Sequence, residues 1–307
     1  MLRRMDEELR EFVRFRLALG KDDYETILSD CADYLGDDSA DFSQVVIEEF
    51  ESYLEEQRTW PDLLDSDRLL LAFGDLNTAG IVARTDFTCC LRCGTSEIDG
   101  EIPDGQERRG YVFAHHQDME VAAEGHGCYL AFGVFSDAGD VVEIGEEVVA
   151  ALRGHGLSPA WNGDPSKRIH VPLTWRRRRF GRLASWPGGP EPQDASPRPL
   201  EVFYRGHRGR RKDTPTPVSY VEARDVLLEL DPHPGNFAGF IGRSGGRLQV
   251  TWTRDGTLSL ESSDPARRRS RRRDVTMTEA ERMIRILAEE DRVAVDEPGE
   301  PAIEHRS

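Results

Sequence analysis

Three of the chain's five cysteines fall within residues 88–94, TCCLRCG. Cys90 and Cys93 stand two residues apart with Gly94 behind them, the form of a zinc knuckle. Two thiolates at that spacing can approach one tetrahedral ion, and a following glycine spares the backbone strain. A structural zinc needs two more donors. Cys89 is adjacent, although neighbouring side chains reach one ion awkwardly. His115 is the best distal candidate, because the strand that carries it can pair beside the cysteine loop; His116, His126 and Cys128 come after it. The expected metal set is therefore Cys89, Cys90, Cys93 and His115, with zinc as the cofactor. The same spacing fits a thioredoxin-type dithiol, which belongs at a helix start following a strand. Here Gly94-Thr95-Ser96 reads as loop, which weighs against redox work. Cysteines near a turn with no metal are the third reading, and spacing alone leaves all three open.

Other chemistry is sparse. His115-His116-Gln117-Asp118 does not match a His-Glu-x2-His zinc helix, and the chain has no Gly-x-Ser-x-Gly elbow or phosphate loop. One of the thiols could be paired with His115 as a nucleophile and base, but nothing nearby supplies an oxyanion hole. No catalytic residue is assigned, and the balance leans away from an enzyme.

The elements that must position these residues follow from periodicity. The N-terminal segment reads as helices; Tyr24, Ile27, Leu28, Cys31, Tyr34 and Leu35 recur at helical spacing. Cys31 lies on that stripe and reads as a core residue. A third helix carries Val46, Phe50, Tyr53 and Leu54 and ends before Trp60-Pro61. A helix from Asp65 leads into a strand at Ile81–Ala83, with further strands at Tyr111–His115 and Tyr129–Phe135. A helix covers Ile144–Gly154, and two short strands join through Asn162-Gly163 as a hairpin. Residues 185–199 hold five prolines and form a semi-rigid linker. Beyond it, a helix at Val218–Leu230, a hairpin turning at Asp255-Gly256 and a final helix opened by the Thr276/Glu279 capping box follow.

The expected fold class is α+β: a helical N-terminal extension (1–59), a mixed α/β sheet domain (60–182), a Pro-rich linker (183–199) and a small C-terminal α+β domain with a β-hairpin and terminal helix (200–296). Residues 297–307 read as a tail.

The 307 residues carry a net charge of −17, concentrated in the first half. Such a surface repels nucleic acid and anionic lipid at long range. Arg176–Arg179, the 208–212 run and RRRSRRR at 267–273 are the exceptions. They lack interleaved aromatics, so solvated loops or contacts with the acidic half outweigh a nucleic-acid partner. No apolar run is long enough to span a bilayer, and the acidic start lacks a signal-peptide core. With its cysteine usage, the chain reads as cytoplasmic and reduced.

From Trp60 onward, DSDRLLLAF, GIVARTDFTCCLRCG, GYVFAHHQDME, GCYLAFG, IGEEVVAALRGHGL, AWNGDPSKRI and LTWRRRR together resemble a bacterial family of unknown function, over about residues 60–180. The resemblance implies a domain and no activity; His116 and Met119 depart from its pattern. The C-terminal strand, GRLQVTWTRDGTLSLES and helix are similar in layout to immunity-type proteins that neutralise bacterial toxins. The leading expectation is therefore a non-enzymatic protein that binds another protein, in an immunity or stress role. The alternative is a metal- or thiol-dependent enzyme centred on Cys89, Cys90 and Cys93.

Overall fold

The computed structural model describes residues 2–36, 40–103, 105–136, 138–189, 197–264 and 269–294. It is α+β, as expected, and forms two compact units: residues 1–73, 81–101 and 108–195, and residues 74–80, 102–107 and 196–307.

The first unit opens with α1 (Leu2–Leu19), α2 (Tyr24–Leu35) and α3 (Ser43–Gln57). Their apolar stripes meet in a cluster of Leu9, Val13, Leu17, Tyr24, Ile27, Cys31, Val46 and Phe50. Cys31 is fully buried there, so its thiol fills space, and burial pushes its pKa up to about 11. Asp23 caps α2 by accepting the Thr26 N–H, and Gly36 closes it in the left-handed conformation. Helix α4 (Asp65–Thr78) leads into β1 (Ile81–Arg84), and its last residues fall in the second unit.

Next come α5 (Leu91–Glu97), β2 (Gly110–Phe113), α6 (His116–Ala123), β3 (Cys128–Val134), α7 (Val141–Gly154) and β4 (Ile169–Val171). The four strands form one sheet in the order β1-β2-β3-β4. Strands β1 and β2 run parallel, as the α5 crossover requires, while β2–β3 and β3–β4 are antiparallel. The hairpin expected around Asn162-Gly163 is reduced to a single bridge, Ala160 with His170. Trp161 explains the shortening: its indole N–H donates to the Asp164 and Lys167 carbonyls, which holds the segment as a loop.

The run Arg176–Arg179, read from sequence as either a solvated loop or a contact with the acidic half, is an internal strut of this unit. Arg177 Nη1 reaches the buried Asp67 carboxylate at 2.6 Å. Arg178 donates to the Pro61 and Asp62 carbonyls, and Arg179 to those of Leu17, Asp22 and Leu183. Arg176 stacks 4.6 Å from the Trp60 ring and Arg179 5.1 Å from Phe50. Backbone bonds add to this, with Tyr53 Oη donating to the Arg177 carbonyl and Gln57 bridging both polar groups of Arg179. Guanidinium forks are suited to collecting carbonyls left over at helix ends. Of the two outcomes weighed, contact with the acidic half is the one that holds for this run.

The second unit contains β5 (Leu200–His207), β6 (Arg210–Val218), α8 (Tyr220–Leu228), β7 (Phe237–Gly242), β8 (Arg247–Trp252), β9 (Leu258–Asp264), β10 (Arg269–Val275) and α9 (Met277–Glu290). Its sheet is antiparallel in the order β10-β9-β8-β7-β5-β6. The hairpin at Asp255-Gly256 and the Thr276/Glu279 capping box are present as read. The β5–β6 pair and β10 are additions to the sequence reading. In β6 and β10, arginine-rich or proline-containing stretches hide the strand pattern, and these two are the edge strands, where such residues are tolerated. The described part of RRRSRRR, from Arg269, is therefore strand and not loop.

Candidate metal centre

Strand β1 ends at Arg84, and the chain then doubles back through Asp86 and Thr88, both left-handed at φ 51° and 56°. Two backbone bonds staple this turn to the exit of β2: Phe87 N–H to the Ala114 carbonyl at 2.9 Å, and His116 N–H to the Thr88 carbonyl at 3.0 Å. The Thr88 hydroxyl donates to the Cys90 carbonyl at 3.3 Å. Cys90 is extended and sits immediately before α5, whose first bond runs from Gly94 N–H to the Cys90 carbonyl at 3.0 Å.

A helix does therefore follow Cys90, where the sequence reads as loop. It has seven residues with a glycine in the middle, too short for a periodic signal and opened by a residue outside the usual capping set. The role of Gly94 also differs from the expected one. Its backbone is ordinarily helical, and a Cβ there would stand 2.4 Å from Cε2 of Phe113. The glycine exists so that α5 can lie against β2. Gly94→Ala is expected to destabilise the protein by about 1–3 kcal/mol through overpacking, outweighing the gain of up to about 1 kcal/mol in helix propensity. Chemical denaturation with a shift in midpoint at constant slope is the check.

The outcome of this local geometry is convergence. The Sγ atoms of Cys89, Cys90 and Cys93 all lie within 4.8 Å of one another. Cys89 faces solvent, and Cys90 and Cys93 are half-buried. The backbone N–H of Cys93 and the other two thiols hold Cys90 below its ordinary range, while the Cys89 and Cys90 sulfurs push Cys93 up to about 11. Tetrahedral zinc with Zn–S of about 2.3 Å wants sulfurs about 3.8 Å apart. The 4.8 Å limit on the sulfur separations exceeds that spacing by about an ångström.

His115 lies outside this group. Among the described residues, no fourth His, Cys, Asp or Glu donor joins the three sulfurs within that distance. His115 caps α6: its Nδ1 accepts the Asp118 N–H at 3.3 Å, and its Nε2 stands 3.0 Å from Asp118 Oδ2. Arg168 Nη1 bonds both Asp118 oxygens, at 2.8 and 2.9 Å, and the guanidinium stacks 5.0 Å from the Tyr129 ring. Both imidazole nitrogens are thus engaged within the unit. Cys128 is fully buried in β3, where burial pushes its thiol far up. His126 is exposed in the turn before it.

His116, ranked from sequence after His115 as a distal donor, is held by other partners. Its Nδ1 lies 2.7 Å from Asp86 Oδ1, and Lys21 Nζ holds the other carboxylate oxygen at 2.6 Å. The two histidines titrate in opposite directions. Bonding to Asp86 raises His116, whereas burial, assisted by Arg168 and opposed by Asp118, lowers His115. The His116 contribution to stability is complete below about pH 6.5 and is lost as pH rises through its raised folded value. The His115 contribution is present above about pH 6.5 and is lost as pH falls towards its lowered folded value. An NMR titration should show His116 ionising above, and His115 below, the ordinary range. Asp86→Asn should return His116 towards that range.

The fold and the site together define an α+β protein with a surface cluster of three thiols beside a mixed sheet. The family profile for the domain of unknown function DUF6891 matches residues 3–179, more than half of the chain. The chain belongs to that family. The matched region takes in α1–α3 as well as the sheet and ends within the buried arginine run. No curated protein and no solved structure matches the chain. No helix among the described residues is long and apolar enough to cross a membrane.

Proposed function

We propose that this protein binds a soft metal ion through Cys89, Cys90 and Cys93. The convergence of the three sulfurs within 4.8 Å carries the reading. Thiolate donors select zinc, copper(I) and related ions over magnesium or calcium. Zinc held by three thiolates takes its fourth donor from solvent on the exposed Cys89 side, which leaves an exchangeable position. His115 could serve as that donor only by giving up Asp118 and Arg168, so the triad alone is the supported set. Protein purified without chelator should contain one equivalent of zinc, lost when all three cysteines become serine. Metal-free protein that also takes up no zinc at micromolar concentration would rule the reading out.

A protein-partner role has separate support in the C-terminal unit. Strands β8 and β9, turning at Asp255-Gly256, and the capped α9 are the hairpin and helix on which the resemblance to immunity-type proteins rests. Co-purification from the native cell tests it; recovery of the chain with no stoichiometric partner counts against it.

A further inference from the structure

We propose that the Cys89–Cys90–Cys93 triad is a three-coordinate site, matched to trivalent arsenic or antimony presented as the neutral hydroxide. This deepens, and rests on, the reading of the three thiols as one ligand set. Three observations lead to it.

The first is the origin of the donors. All three sulfurs come from five consecutive residues, two of them adjacent in sequence, and lie within 4.8 Å of one another. A tetrahedral ion wants donors distributed around it. A trivalent ion with a stereochemical lone pair binds three donors within one hemisphere and turns the lone pair outward. The exposed face of Cys89 is where that lone pair would point.

The second is the missing fourth donor. Among the described residues, no His, Cys, Asp or Glu atom joins the sulfurs within 4.8 Å, and His115, the histidine expected as a ligand, is committed to Asp118 and Arg168. The side chains around the triad supply hydrogen bonds to backbone instead. Thr95 and Ser96 bond the Leu91 and Cys93 carbonyls, so neither hydroxyl is turned to an ion.

The third is charge. Three thiolates around a divalent ion leave a net negative centre. The chain already carries −17. Exchange with a trivalent hydroxide is neutral throughout: M(OH)3 and three thiols give M(SR)3 and three waters. Each M–O bond is replaced by an M–S bond, each thiol proton leaves on the departing hydroxide, and no electron is transferred. Burying no net charge is the cheaper outcome at a half-buried site.

The test uses the full reduced chain with arsenite as probe, read by native mass spectrometry, thiol alkylation and arsenic-edge X-ray absorption. The expected result is one arsenic per chain with three protons lost and Cys89, Cys90 and Cys93 all protected. The absorption spectrum should show three sulfur neighbours and no oxygen. Bound zinc should be displaced by arsenite. Cys89→Ser, at an exposed position, should keep its circular dichroism spectrum and lose more than about tenfold in arsenite affinity, about 1.4 kcal/mol. Protection of only two thiols with an As–O bond retained overturns the three-coordinate inference. So does zinc bound by the triad that arsenite fails to displace, in which case the ligand-set reading stands. If neither zinc nor arsenite protects the thiols, both readings fall.

Discussion

Arg177→Ala is expected to destabilise the first unit by about 3–5 kcal/mol, the range for breaking a buried ion pair by removing one partner. The reason lies with what stays behind. Asp67 Oδ1 accepts from Arg177 Nη1 at 2.6 Å, and the side chains are 7% and 1% exposed. Arg178 stands 3.5 Å from the other Asp67 oxygen, and Asp67 Oδ2 also accepts the Leu64 N–H at 3.0 Å, so part of the carboxylate's environment survives. That residual pairing places the loss within the range and not above it. Urea denaturation followed by tryptophan fluorescence measures it. A loss below about 1 kcal/mol would mean that the pair behaves as a surface bridge. Replacing both residues with apolar groups of matched volume should recover much of the loss, since the cost is the orphaned charge rather than the missing attraction.

Cys90→Ser should lower zinc affinity on the order of a hundredfold or more. Structural zinc sites bind with about 10–16 kcal/mol across four donors, or about 3 kcal/mol for each. Cys90 is the central residue of the triad, and the Cys93 N–H and both neighbouring thiols favour its thiolate. Its loss therefore removes a donor whose thiolate its surroundings favour. Competition with a chromophoric chelator gives the affinity. Cys128→Ala is the control: its thiol is buried in β3 away from the triad, so zinc binding should stay unchanged even where stability falls. Equal loss in the two variants would show that binding follows general stability and not the local ligand set.

Much of the architecture was legible because it is encoded locally. The stripe of α2 with Cys31 on it, the Thr276/Glu279 box opening α9 and the turn at Asp255-Gly256 are each contained within a few residues. The three-thiol set was legible for the same reason. Elements without a local signature were missed. Helix α5 has seven residues, too few for two turns of periodicity, and β10 is an arginine strand whose pairing with β9 supplies what its composition does not.

The sequence by itself determined which three thiols could hold a soft ion and where the strong helices and the Asp255-Gly256 turn lie, because spacing and capping act over one or two turns of chain. Tertiary structure alone decided the rest. It brought Arg177 to Asp67 and Arg179 to Leu17, across separations of 110 and 162 residues, and so converted an apparent basic patch into a buried strut. It assigned Gly94 to the Phe113 ring, committed His115 to Asp118 and Arg168, and paired His116 with Asp86. A guanidinium, imidazole or thiol has the same chemistry in any sequence. Its partner is set by the elements packed against it, and those are joined only when the chain folds.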